Sequence, residues 1–208
     1  MAGPVNGQIV DVSNNHWRFD KTRLLERLAL DKLLVINDFT AQALAQHNAA
    51  DGDRRQILDG IEDASAPLLV IGPGTGLGVS ALIPFVQGPL PVEGEGGNIR
   101  FAPQTEPERD LCAYMEQQTD HVVVEHFVSG PGLENIHRFL ANSAGVEPSL
   151  SAEMIATSAL HEEGICRDAV NLMIGILGAV MRDHVLTLGC WRGCLLYTSD
   201  AADEGHCV

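Results

Sequence analysis

An α/β protein is the class this sequence predicts, on three observations. Leu68-Leu69-Val70-Ile71 is a short apolar run of buried-strand type, and it leads into four glycines within seven residues (Gly72, Gly74, Gly76, Gly78) before a second apolar run that stops at Pro84. Helical spacing flanks this segment, with Leu24, Leu25 and Leu28 before it and Leu133, Ile136, Phe139 and Leu140 after it. A longer helical segment, from about Ile165 to Leu188, is apolar nearly all round between Val170 and Met181 and is expected to be buried.

The glycine-rich stretch decides what kind of loop this is. Glycines at that density let backbone N–H groups turn inward toward an anion. A dinucleotide fold needs a helix of roughly ten or more residues after the glycines, and Val79 to Ile83 is too short and too strand-like. A Walker-type loop needs a lysine, and the stretch holds none. What remains is a strand–turn–strand hairpin with Gly74, Thr75, Gly76 and Gly78 at its tip, which reads either as a phosphate cradle or as a glycine-rich turn that binds nothing.

Along the chain, Met1 to Gly7 reads as the end of a strand entering a turn, and Gln8 to Val12 as a second strand. A first strand with no earlier partner suggests residues upstream of Met1. Trp17 and Phe19 flank a loop, Lys21 to Leu30 is an amphipathic helix, Leu33 to Ile36 a short strand, and Phe39 to Gln46 the helix after it. Asn48 to Ser65 is a polar surface connection with a short helix, and Pro84 to Pro103 is loop-like. Glu106 to Gln118 starts a helix near Pro107; His121 to Val128 is ambiguous between strand and helix; Ser129-Gly130-Pro131-Gly132 opens the next helix, and Ser151 caps one running to His161.

Composition bounds the function classes. With 13 basic and 28 acidic residues the net charge is −15, which disfavours nonspecific binding to nucleic acid or an anionic membrane. No basic amino-terminal segment precedes an apolar stretch, so no signal peptide is expected, and Val170 to Val180 falls short of the roughly 20 residues that span a bilayer. Five cysteines form no disulfide framework and suit a reducing cytoplasm.

The carboxyl end differs in kind. Cys194-Leu195-Leu196-Tyr197-Thr198-Ser199-Asp200-Ala201-Ala202-Asp203-Glu204, eleven consecutive residues, closely resembles the in-frame translation of a transposon-end adapter used in sequencing libraries. Residues 190–208 are therefore expected to be a non-native tail. Cys190, Cys194, His206 and Cys207 are zinc-ligand types, but they lie in or beside that tail, and no metal site is expected.

Several polar residues stand where chemistry is possible. Asn37-Asp38 ends the expected strand directly before a helix, a place where open α/β sheets bind ligands. An aspartate there can take the proton of an attacking hydroxyl while the amide orients the same substrate; the pair also reads as a helix N-cap. Glu95, in Glu93-Gly94-Glu95-Gly96-Gly97-Asn98, has small neighbours that leave its carboxylate accessible to two sugar hydroxyls, with Asn98 able to donate and accept; the alternative is a flexible acidic loop. Glu125 alone reads as a surface glutamate, and His16, His121 and His126 as ordinary histidines.

Taken together, these segments resemble the bacterial glucokinases. Leu33-Leu34-Val35-Ile36-Asn37-Asp38-Phe39-Thr40-Ala41, Gly74-Thr75-Gly76-Leu77-Gly78, Gly94-Glu95-Gly96-Gly97, and Glu125 followed by Val128-Ser129-Gly130-Pro131-Gly132-Leu133 stand in that family's order and spacing. Gly3-Pro4-Val5 and Ser13-Asn14-Asn15-His16-Trp17 are similar to its earlier segments, so the likeness covers residues 1 to about 189. It implies an actin-like (ribonuclease H-like) sugar kinase fold of two lobes, present here incompletely: residues 1–48 as the tail of the small lobe and 49–189 as most of the large one. It also implies a cytoplasmic homodimer that binds glucose and Mg2+-ATP in the cleft. Asp38 would be the general base for the sugar's 6-hydroxyl, Asn37, Glu95 and Glu125 would hold sugar hydroxyls, and Gly74, Thr75, Gly76 and Gly78 would face the phosphates.

Three departures from the family pattern follow. Asn98 stands where the family has histidine, so Asn98 becomes the residue on which sugar preference turns. The family's amino-terminal Asp-x-Gly-Gly-Thr-Asn phosphate segment is absent, and so is the glycine-rich segment after the long helix. The expectation is a parent protein that phosphorylates glucose and a fragment that turns over little. A noncatalytic sugar binder and a kinase of another hexose are the alternatives.

Overall fold

The computed structural model describes residues 7–11, 17–46, 55–147 and 150–197. The segments Met1–Asn6, Val12–His16, His47–Arg54, Glu147's successors Pro148–Ser149, and Thr198–Val208 lie outside the described residues, and with them the expectations placed on Gly3-Pro4-Val5, Ser13–His16, His206 and Cys207.

The amino-terminal part is a small antiparallel pair, β1 (Ile9–Asp11) and β2 (Arg18–Asp20), followed by α1 (Lys21–Arg27). Asp20 caps α1 by accepting the N–H groups of Thr22 and Arg23 at 2.9 and 3.1 Å, which meets the need of an otherwise unbonded first turn. The loop expected around Trp17 and Phe19 is thus strand β2. The strand expected over Leu33–Ile36 is not formed, since no described strand lies beside it to complete a ladder. Asn37 then caps α2 (Asp38–Ala45).

The main sheet has the order β5-β4-β3-β6. β3 (Leu68–Pro73) and β4 (Leu77–Ile83) form the antiparallel hairpin the glycine pattern predicts, and β5 (Leu90–Val92) adds antiparallel to β4. Its Pro91 is tolerated because β5 is an edge; this strand lies in a stretch expected to be loop. β6 (Gly193–Leu196) pairs parallel with β3 after a crossover through helices. Three meandering strands and a parallel fourth on the first one's free side make the α/β arrangement complete enough to bury β3 on both faces.

Side-chain alternation sorts the core. Leu69, Ile71, Val79 and Ala81 point to a large cluster built with Phe101, Leu111, Phe127, Ile136, Ile155 and Ile176. Leu68, Val70 and Leu82 point the other way, where Ala43, Phe39 and Leu44 of α2 cover them. The large cluster is closed by α3 (Glu106–Glu116), α4 (Gly130–Ala144), α5 (Ala152–His161) and α6 (Ile165–Leu188). Each of α3, α4 and α5 is capped by a hydroxyl, from Thr105, Ser129 and Ser151, and Gly145 ends α4 in the left-handed conformation that glycine adopts without strain.

Burial of α6 is narrower than its composition predicts. Ala169, Ile176, Leu177 and Val180 are buried against α4 and α5, whereas Ile174 and Leu186 are 59% exposed. A helix apolar on every side is covered here on one side only, because no described element packs on the other.

Candidate functional site

The site is assembled around the backbone of one residue, Leu77, at the start of β4. Its N–H donates to Glu125 Oε2 at 2.8 Å, and its carbonyl lies against the α-carbon of Gly97, where a side chain would not fit. Gly76 in turn lies against the Glu125 carboxylate. The hairpin, the Glu95 loop and the Glu125 turn, separated by up to 48 residues in sequence, therefore meet at the hairpin tip.

Each of these segments has a local reason for its shape. At the tip, the Gly74 N–H donates to the Gly76 carbonyl at 2.8 Å, which leaves Gly74 and Thr75 exposed. Glu95 precedes a 3-10 turn, Gly96–Asn98, fixed by the Asn98 N–H donating to the Glu95 carbonyl at 2.9 Å. Gly96 is pressed against Val79, so the two glycines after Glu95 are the surface by which the loop lies on β4. The carboxylate of Glu95 is exposed, with the Asn98 amide 3.5 Å away.

Glu125 lies in a second 3-10 turn, Val124–His126, which resolves the ambiguous stretch as neither strand nor α-helix. The turn is tied to the Glu95 side by the Val124 N–H donating to the Ile99 carbonyl at 3.1 Å. It is tied to α4 by Ser129, whose buried hydroxyl donates to the Glu125 carbonyl at 2.8 Å and accepts the Gly132 N–H at 2.9 Å. The Gly130 N–H donates to the Gly74 carbonyl at 2.8 Å, so the start of α4 and the hairpin tip are held together.

On the opposite side of the hairpin, the Phe39 ring lies on Gly72 and Gly78. Gly78, which the glycine pattern places at the tip, sits instead within β4, opposite Gly72, and its missing side chain makes room for Phe39. Asp38, next to Phe39, is exposed in the first turn of α2, where the helix dipole favours a negative charge. Asn37 Oδ1 accepts the N–H groups of Phe39 and Thr40 at 2.8 and 3.2 Å, so the cap reading of Asn37 holds for its oxygen.

Between the tip and α4 an open cleft of about 380 Å³ is lined by Gly74, Thr75, Gly130, Glu134, Ala152 and Met173, among others. The start of a helix and two exposed tip residues on its wall suit an anionic ligand. The lining carboxylate, Glu134, is engaged, its Oε1 accepting the Ala152 N–H at 2.9 Å. From α6, His184 approaches the backbone of Gly96; burial holds its imidazole below the usual range, against the opposing pull of the Gly96 backbone and Asp183.

These motifs and their convergence are matched by known proteins. The family model described as Glucokinase matches residues 1–197. The chain belongs to the glucokinase family. A glucokinase of Aromatoleum aromaticum is 42% identical over 195 residues, which cover 93% of this chain and 59% of that protein. The chain thus spans about 60% of the length of such relatives. The crystal structure of a glucokinase from an Antarctic psychrotroph superposes with a TM-score of 0.81 at 28% identity, over 97% of this chain and 63% of that one. A ROK family glucokinase from Streptomyces griseus, solved with glucose and AMPPNP, shares the fold at a TM-score of 0.59 and 18% identity, over 90% of this chain and 59% of that one. The fold of this glucokinase-family chain is accordingly the actin-like sugar kinase fold.

Leu77, Ser129, Gly130 and Phe39, which hold the candidate site together, are not among the residues the sequence marks for it. The hydroxyl-glycine pair at the start of α4 was a findable signal, since it is a helix cap directly after Glu125. The Leu77 contacts were not, because they are made by backbone groups.

Proposed function

We propose that the protein carrying this chain transfers the γ-phosphoryl group of ATP to the 6-hydroxyl of glucose. The observation that carries this reading is the meeting of the Glu95 loop and Glu125 on the backbone of Leu77, directly beside the glycine tip. An enzyme of this kind must hold a sugar next to a triphosphate, and the chemistry then consists mostly of positioning and charge stabilisation.

In this reading Asp38 takes the proton of the 6-hydroxyl as the phosphoryl group arrives. Asn37, whose Oδ1 caps α2, holds a sugar hydroxyl. Glu95 and Asn98 take further hydroxyls from the exposed side, and Glu125 does so with its second carboxylate oxygen. The nucleotide lies in the cleft beside the tip, with its phosphates toward Gly74, Thr75 and Gly76. Mg2+ would arrive with the nucleotide and supply neutralisation of phosphate charge when bound; no residue of this chain is assigned to the ion.

The wider assignments belong to the same reading: a cytoplasmic homodimer, residues 1–48 as small-lobe tail and 49–189 as large lobe. The exposed apolar residues Ile174 and Leu186 on α6 are surface that the remainder of such a protein, or its partner copy, would cover. Residues 190–208 are read as non-native; the apolar Cys194-Leu195-Leu196 occupies the sheet position beside β3 that a native apolar strand would take, and the family match reaching residue 197 runs over it.

A coupled assay of glucose-dependent ADP formation tests the activity. The protein with both ends restored is expected to turn over glucose, while the 208-residue chain is expected to turn over little. Saturable glucose binding with no phosphorylation by the restored protein would favour a noncatalytic sugar binder instead.

A further inference from the structure

We propose that Glu125 couples occupancy of the sugar site to the order of the hairpin tip. The proposal rests on the sugar-kinase reading above and extends it to how the two halves of the site communicate. Glu125 Oε2 accepts the Leu77 N–H at 2.8 Å, at the first residue after the tip. The same carboxylate fills the space beside Gly76, so any Cβ there would collide with it. A carboxylate has acceptor capacity on both oxygens, and Oε1 is left to receive a sugar hydroxyl.

The turn that carries Glu125 is rigid where the hairpin is thin. Val124 is bonded to Ile99, and the Glu125 carbonyl accepts the Ser129 hydroxyl, so the backbone behind the carboxylate is fixed from two sides. The tip itself has one internal bond, from the Gly74 N–H to the Gly76 carbonyl, and one brace to α4, through the Gly130 N–H. A hydroxyl donating to Oε1 orients the carboxylate, and the oriented carboxylate fixes the Leu77 N–H on Oε2. Glucose then orders Gly74, Thr75 and Gly76 before any phosphate reaches them, and the cost of ordering the loop is met before the nucleotide binds. Glu125 acts here as a positioning residue for the phosphate loop, although it never touches the nucleotide.

The experiment is hydrogen exchange, read by mass spectrometry over residues 74–79 of the full 208-residue chain, with and without saturating glucose, and with sorbitol as the control solute. Glucose binding is followed in parallel by calorimetry. In the wild-type chain glucose is expected to slow exchange across the tip by about tenfold or more, the scale of one hydrogen bond to a charged group. In Glu125→Gln, and in the shorter Glu125→Asp, tip exchange without sugar is expected to be faster than in wild type and to stop responding to glucose, with circular dichroism reporting an unchanged fold. If glucose binds and tip exchange does not change, the coupling is wrong while the sugar site stands. If tip exchange in both variants is as slow as in wild type, the Leu77 bond carries no order and the proposal fails. If the chain binds no glucose at all, the sugar-kinase reading of these residues fails, and the coupling falls with it.

Discussion

The ring of Phe39 fills the space that a side chain at Gly78 would occupy. This contact fixes α2 to the hairpin and with it the position of Asp38, one residue before the ring. A glycine that the sequence offers as a phosphate ligand is therefore a packing residue, and the helix it seats begins at Asp38, the residue proposed as the base.

Gly78→Ala is expected to destabilise the chain by about 1–3 kcal/mol, the usual cost of forcing a methyl into a filled space. Phe39→Ala, which removes the Cγ, Cδ2 and Cε2 atoms that the new methyl would meet, is expected to recover part of that loss in the double variant. Urea unfolding of the four chains measures the coupling; strictly additive losses would show that ring and glycine do not share the site.

Stability is expected to fall as pH drops from about 7 toward 5. Burial lowers the affinity of His137 and His184 for a proton, in His137 with help from Arg138, so the unfolded chain binds more protons than the native one below the ordinary histidine range. Acid therefore favours unfolding, and the stabilising difference is regained as pH rises through that range. His184→Leu is expected to flatten the slope; thermal melts at pH 5.5 and 7.5 report it, and an unchanged slope in that variant would remove His184 from the account.

Cys194 tests whether the carboxyl-terminal stretch is truly seated in the sheet. Burial, with Cys190 nearby, pushes its thiol up to about 12. In the native chain it is expected to resist alkylation at pH 8 and to react once urea unfolds the sheet, with peptide mapping as the readout. Fast labelling without denaturant would place Gly193–Leu196 off β3.

Asn98 is the residue on which sugar preference is expected to turn. Its exposed amide stands 3.5 Å from the Glu95 carboxylate, in the same loop. Asn98→His, the residue that the resemblance implies at this position, is expected to raise glucose affinity by a factor of roughly 10, one hydrogen bond's worth. A panel of hexoses read by calorimetry checks it; a gain for another hexose and none for glucose would point to a different substrate.

Much of this was legible in the chain because the deciding signals are local. The hairpin follows from two apolar runs around clustered glycines, α4 from a serine cap and an apolar stripe, and α6 from its length and apolar composition. What escaped depends on partners. Strand β2 exists because β1 lies beside it, and β5 because β4 does, while Leu33–Ile36 has strand composition and no described neighbour. The same reasoning explains Gly78 and Leu77. Glycine density marks a turn but does not say which glycine is at the tip and which admits a ring, and a backbone N–H that recruits Glu125 from 48 residues away leaves no trace in its own side chain.

The measurement closest to the central claim compares Asp38→Asn with wild type in the end-restored protein, reading turnover with ATP and glucose binding separately. Loss of a positioned base is expected to lower kcat by about 10²–10⁴-fold, while the dissociation constant for glucose stays within a factor of about three, under 1 kcal/mol. Turnover left at the wild-type level, or glucose affinity lost in step with turnover, would contradict the assignment of Asp38 as the base of a glucose-phosphorylating site.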